Sequence, residues 1–336
     1  MKFKSDIAFF FRKKISGAFS INQIFEALAA EISKNTPVKS HNLKKSGGSL
    51  PVVLANTMEA MNHAVNGINH ITGDVHYIAC GLFKGRTVLT IHDCILLHRT
   101  PKSTWKFYAY LWIWYKLPIW FSDIVTTISE KSKDEIVAFT GCNPDKIVVI
   151  PNFVNEIYQC TPKPFNATRP RLLHIGVNQN KNLERLISAL EGIPCVLEIV
   201  GDLKKNQLDL LAQYSIDYEN YHDLTMEEMA ERYRQADVVV FASTYEGFGM
   251  PVVEAQATGR PVVTSNIEPM MWVAGAESAC FVDPFDPVSI RAGIERVVQD
   301  ETFRNKLTTN GLENVKRYSI RQIAGQYIQV YRKFLN

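Results

Sequence analysis

Glu246 and Glu254 bracket a turn, Gly247-Phe248-Gly249-Met250-Pro251, in a stretch whose residue types suit the binding of a phosphorylated sugar. Just before it, Asp237–Phe241 (DVVVF) is a β-branched run that reads as a buried parallel strand. Gly247 and Gly249 permit a tight turn and a close approach of the backbone to a ligand. Pro251 suits the first helical position, where its missing N–H would be unpaired in any case. The strand therefore ends near Glu246, and Glu254 falls about one turn into the next helix. Backbone N–H groups at a helix start favour an anion. A phosphate seated there would lie between the two glutamates, whose acceptor-only oxygens suit the hydroxyls of a ribose on one side and a hexose on the other. The competing reading is an ordinary strand–turn–helix whose glutamates are merely solvated.

The spacing and its surroundings, FASTYEGFGMPVVEAQATGRPVVTS over residues 241–265, resemble the E-x7-E motif of the group 1 glycosyltransferases (family four). These are retaining enzymes of GT-B architecture, so the resemblance implies an α/β chain of two Rossmann-like domains facing each other across a cleft. It also implies that the second domain holds a nucleotide-diphosphate sugar. Glu254 would bind the ribose, and Glu246 with the backbone of Gly247, Phe248 and Gly249 would hold the transferred sugar. Lys181, in HIGVNQNKNLERLI, follows a strand ending at Gly176 and opens a helix. That placement resembles the family's diphosphate-binding lysine, with a surface lysine as the alternative. The family often adds an Arg soon after the glycine. Here Val177 and Asn178 stand there, so the second cation is missing or comes from elsewhere.

In the first half, His92 and Asp93 (TVLTIHDC) lie at the carboxyl end of a buried strand, where open α/β sheets bind ligands. A matching family histidine approaches the donor sugar, so His92 is a candidate to bond the hexose or accept a proton on the acceptor side. A satisfied core histidine is the other reading. Ser129 either resembles a serine of the interdomain cleft or caps a helix. Gly17, in KKISGAFS, resembles a glycine loop near the donor phosphates and equally reads as a plain turn. Tyr221 lies where the family holds the nucleotide base, a placement that cannot separate a UDP-sugar from a GDP-sugar.

These residues need elements to hold them. Alternating apolar runs and helical patterns predict parallel sheets. Strands are expected at Ile7–Phe11, Val52–Ala55, Ile68–Thr72, Val88–Ile91, Ile124–Ile128 and Ile147–Ile150. The first helix is expected over Ile21–Ile32, with Ser20 in cap position, and 35–50 as a mobile loop. Pro162, Pro164 and Pro170 mark a linker. It separates a first domain (1–160) from a nucleotide-sugar domain (165–318). By resemblance the terminal helix, 320–336, returns to pack on the first. The second half restarts with strands at Arg171–Ile175, Val196–Val200, Val262–Ser265 and Ala279–Val282.

The segment Trp105–Phe121 holds nine aromatics among seventeen residues, together with Lys106 and Lys116. Such a mixture suits a membrane interface, or a buried helix lining the acceptor side. It is too interrupted to span a bilayer.

Length and composition agree with two soluble domains: 336 residues, 46% hydrophobic and 21% charged. Residues 1–163 carry 19 Lys/Arg against 12 Asp/Glu, and residues 164–336 carry 18 against 22. A basic half beside an acidic half suggests that the first faces an anionic surface or acceptor, or is simply a solvated bias. Six scattered cysteines without a C-x-x-C pair argue against zinc and disulfides and fit a reducing compartment. The opening MKFKSDIAFFFRKK reads as a strand rather than a signal peptide. No D-x-D, G-x-G-x-x-G or nucleic-acid pattern is present. The expectation is a retaining, metal-independent hexosyltransferase without a cofactor, at work in the cytoplasm or on the inner membrane face. It would move sugar from a nucleotide-sugar donor to a glycan or lipid-linked acceptor of surface polysaccharide or lipopolysaccharide. The alternative is a catalytically silent nucleotide-sugar-binding subunit of an assembly complex.

Overall fold

The computed structural model describes residues 6–13 and 21–335. Gly17 and Ser20 lie outside the described residues. The chain divides into two units, Met1–Phe153 with Ile320–Asn336, and Val154–Ser319.

The first unit carries a parallel sheet of β1 (Ile7–Phe11), β2 (Val38–Asn42), β3 (Ile68–Ile71), β4 (Arg86–Thr90), β5 (Ile124–Thr127) and β6 (Ile147–Val149), in the order β2-β1-β3-β4-β5-β6. The interior strand β1, IAFFF, is buried at every position because both faces of the sheet are covered. Ala8 and Phe10 point to one core, and Ile7, Phe9 and Phe11 to the other. The second core is closed by the terminal helix, Ile320–Leu335, through Ile323, Tyr327 and Tyr331. Phe25 of the helix Ile21–Ser33 meets Tyr327 edge-on, at 5.9 Å between ring centroids. Buried His70 joins the last helix to the sheet, with Nδ1 2.7 Å from Tyr331 Oη and Nε2 2.7 Å from Thr90 Oγ1. Burial pushes its pKa down to about 3, so the ring is neutral and serves as a bridge rather than a charge.

The second unit repeats the plan with β7 (Arg171–Ile175), β8 (Val196–Val200), β9 (Tyr218–Tyr221), β10 (Val238–Phe241), β11 (Val262–Ser265) and β12 (Cys280–Val282), all parallel. Their order is β12-β11-β10-β7-β8-β9. The winding reverses between β7 and β10, and such a reversal opens a crevice at the carboxyl ends of the strands. The two parallel six-stranded α/β sheets fit the fold class expected from sequence.

Several local expectations are corrected. Val52–Ala55 is not a strand but lies in the helix Leu50–His63. Pro51 in the first turn and the following Leu, Ala and Met favour a helix over the pull of two valines. The expected loop 35–50 contains β2, and β9 is a strand for which no expectation was drawn. Both are edge strands, at either end of their sheets. With one side unpaired, neither VKSHN nor YENY needs the apolar run that betrays a central strand. The aromatic segment is a helix whose middle, Leu111–Lys116, widens to π geometry. Phe107, Leu111, Tyr115 and Ile119 enter the first core, while Trp105 and Trp120 stay 75% and 77% exposed.

Truncating Tyr327 to Ala removes a fully buried ring from the seam between the last helix and the sheet. The first unit should lose about 3–5 kcal/mol, read from its denaturant unfolding midpoint.

Candidate functional site

The loops after β7 and β10 leave the sheet on either side of the reversal. The first brings Gly176 to Lys181, the second Ser243 to Gly249. Lys181 Nζ lies 2.7 Å from Glu246 Oε1, and both side chains are largely buried. The ammonium also lies 4.8 Å from the centroid of the Phe241 ring, a cation–π contact. The same Glu246 oxygen accepts from Ser243 Oγ at 2.7 Å, so its direction is set by neighbours on both loops. Asn180 ties the loops further. Its Nδ2 donates to Tyr245 O at 3.0 Å, and its carbonyl accepts from Thr244 N at 2.8 Å and lies 2.6 Å from Ser243 Oγ. Asn180 thus links loop to loop. Asn182, in left-handed conformation, adds bonds from Nδ2 to Ala242 O and Pro284 O.

Gly176 makes the lysine placement possible. It sits at φ +90°, and a Cβ there would come to 2.9 Å from Lys181 Cγ and 3.1 Å from Cε. The lysine stem therefore runs over the bare glycine before its ammonium reaches Glu246. Beneath it, His174 is buried with Nδ1 3.1 Å from Val240 O. Burial pushes its pKa down to about 4, so no second charge competes there. Val177 turns into the core against Gly201.

Gly249 is the N-cap of the helix Met250–Ala257 at φ +104°, a conformation that favours glycine. Phe248 is buried, with its ring edge-on to Tyr318 at 5.5 Å. It fixes the turn through packing, leaving its backbone for any ligand role. Glu254, one turn into the helix, accepts a 2.6 Å hydrogen bond from the fully buried Tyr233 Oη. Tyr158 packs on that tyrosine edge-on at 5.4 Å. Burial pushes the Glu254 carboxyl up to about 7, opposed by the tyrosine bond and by the charge of Lys181. The structure therefore brings Lys181 and Glu246 into contact and sets Glu254 within the electrostatic reach of the same lysine.

Other candidates stand elsewhere. His92 is buried with Nε2 3.0 Å from Thr72 O, and its carbonyl accepts from Ser132 Oγ. Asp93 Oδ1 accepts from Ile95 N at 2.9 Å. Ser129 is an N-cap, accepting from Ser132 N at 3.1 Å. Tyr221 ends β9, and its phenol donates to Glu219 and accepts from Arg232 Nη1, whose guanidinium covers the ring at 4.6 Å. Arg232 and Arg171 also flank the fully buried Glu198, which anchors this edge of the sheet. Among the described residues no group of three His, Cys, Asp or Glu could hold a metal ion. Sequence reasoning missed Tyr233 and the holding roles of Ser243 and Gly176. Tyr233 lies 21 positions before Glu254 and carries no motif signal.

Residues 161–314 match the family model described as glycosyl transferases group 1, and residues 62–156 match glycosyltransferase family 4. An uncharacterized glycosyltransferase of Methanocaldococcus jannaschii is 29% identical over 62% of this chain and 59% of its own length. O-antigen chain mannosyltransferase B of Escherichia coli is 28% identical over 62% of this chain and 60% of its own. The chain thus matches about three fifths of these relatives. Among solved structures, Anabaena HepE in complex with UDP and glucose has a TM-score of 0.77 at 17% identity, covering 98% of this chain and 100% of that one.

The raised Glu254 pKa has a stability consequence. A carboxyl held above its usual range favours folding while protonated, and that contribution is lost as pH rises through about 7. Glu254→Gln keeps the acceptor for Tyr233 without the charge. Melting scans should find it more stable than the parent by about 2 kcal/mol at pH 8, with the gap closing toward pH 5.

Proposed function

Because this chain belongs to the group 1 glycosyltransferases, we propose that its second unit binds a nucleotide-diphosphate sugar and that the protein transfers the hexose with retention. One observation carries this reading. The two loops flanking the reversal of the sheet deliver a lysine and a glutamate into one ion pair, with a second carboxylate a helical turn away. Pyrophosphate entering this site would meet Lys181 and the amides at the start of the Met250–Ala257 helix. Glu246, already aimed by Ser243, would accept from the hexose hydroxyls, and Glu254 from those of the ribose.

In the transfer step, an acceptor hydroxyl oxygen bonds the anomeric carbon as the bond from that carbon to the diphosphate oxygen breaks. The hydroxyl proton passes to the departing phosphate on the same face. Lys181 stabilises the charge that collects on the diphosphate, a role that needs no metal when the cation is fixed beforehand. We assign His92 to the acceptor side, where its buried ring shapes the first unit's strand ends. The likeness to HepE with UDP and glucose and to a mannosyltransferase supports a UDP- or GDP-linked hexose. Assembly of a surface polysaccharide or lipopolysaccharide belongs to the same proposal.

Calorimetric titration with UDP and with GDP, followed by turnover on a donor panel, tests the reading. Turnover separates an enzyme from a silent binding subunit, and unchanged turnover in EDTA is expected. Lys181→Ala should lower kcat/KM by more than about tenfold, or about 1.4 kcal/mol. Gly176→Ala should reproduce much of that loss, because its Cβ displaces the lysine stem. Nucleotide binding should also release a proton near pH 7, since ribose hydroxyls favour ionised Glu254. Titration in buffers of different ionisation enthalpy measures it, and affinity should rise between pH 6 and pH 8. Unaltered kinetics in both variants would remove the site.

A further inference from the structure

We infer that an aromatic, lysine-flanked face of the first unit seats this protein on an anionic lipid surface. Trp105, Tyr108, Trp112, Trp120, Phe121 and Phe83 are exposed, from 45% for Phe121 to 77% for Trp120. All but Phe83 lie along the Trp105–Phe121 helix, whose inward side already fills the core. Positions 107, 111, 115 and 119 are buried, while 105, 108 and 112 look the other way. The patch continues sideways. Phe83 meets Phe121 edge-on at 6.3 Å, and a Cβ on Gly81 would come to 3.0 Å from Met61 Cγ. Met61 opens onto an exposed stripe along the helix Leu50–His63, made with Leu50, Leu54 and Met58. The turn before that helix touches the aromatic segment, since a Cβ on Gly48 would lie 2.7 Å from the Trp114 ring.

Charge selects the occupant. From residue 95 to residue 122 there is no Asp or Glu, whereas Arg99, Lys102, Lys106 and Lys116 are present. Lys102 and Lys106 are exposed beside the aromatics, as is Lys84 next to Phe83. Lys116 lies over the Trp112 ring at 5.1 Å. Protein interfaces share the aromatics and Met but are depleted in Lys, so lysine-rich flanks argue against a protein partner. Trp, Tyr and Lys together match a lipid headgroup layer, where rings enter the acyl boundary and ammonium groups meet anionic lipids. No helix among the described residues is long and apolar enough to cross a membrane, so this contact lies on the surface of the bilayer.

Co-sedimentation of the full chain with vesicles tests the inference, comparing equimolar phosphatidylglycerol and phosphatidylcholine with phosphatidylcholine alone. The chain should pellet with the anionic vesicles, with a blue shift of tryptophan emission, and salt should release it. Trp105→Ser with Trp120→Ser, and separately Lys102→Gln with Lys106→Gln, should each weaken binding by about tenfold or more. UDP binding in the same samples reports on the second unit independently, so failure of one reading is not failure of the other. If the tryptophan pair unfolds the protein, the lysine pair decides. Equal binding to neutral vesicles, no binding to either, or unaffected variants would overturn the inference. So would sedimentation velocity showing self-association that the tryptophan variants abolish.

Discussion

The contact between Lys181 and Glu246 depends on the absence of a side chain at position 176. The lysine stem lies across Gly176, and any β-carbon there would occupy the same space. Everything near the proposed diphosphate site follows from this placement. The ammonium reaches the Phe241 ring and the glutamate together, and it lowers the cost of ionising Glu254. A largely buried ion pair adds little net stability, because desolvation offsets much of the attraction. In the proposed function it is a charge held in place before a ligand arrives, which avoids reorganisation during reaction. Asn180, Ser243 and Asn182 support that interpretation by locking two loops that belong to separate strands.

The two motif glutamates occupy different surroundings despite their shared turn. Glu246 faces a cation and a hydroxyl, both donating. Glu254 faces a phenol in an apolar pocket built from Tyr233 and Tyr158. An identical residue type is thus given two tasks by its neighbours, one bound to a fixed charge and one sensitive to pH near neutrality.

Much of this was readable from residue order. Central strands announce themselves by β-branched runs, as DVVVF and VLEIV do, because both faces must be apolar. The motif turn was legible for a similar local reason, since glycine and proline there answer backbone requirements. Edge strands were not, because VKSHN and YENY satisfy half of their hydrogen bonds with solvent. Tyr233 was invisible because its partner is distant in sequence, and no spacing rule links them. Helix Leu50–His63 was misread where two valines outweighed a longer helical composition.

The first unit is assembled from both ends of the chain, and its second core lacks a lid until Tyr327 and Tyr331 arrive. On a ribosome, the segment Val154–Ser319 emerges complete while the sheet before it still exposes Phe9, Phe11 and Ile68. The later-made unit can therefore close its core first, reversing the usual N-to-C order of domain maturation. A nascent chain stalled before residue 320 would carry a finished second unit and a half-covered first unit attractive to chaperones.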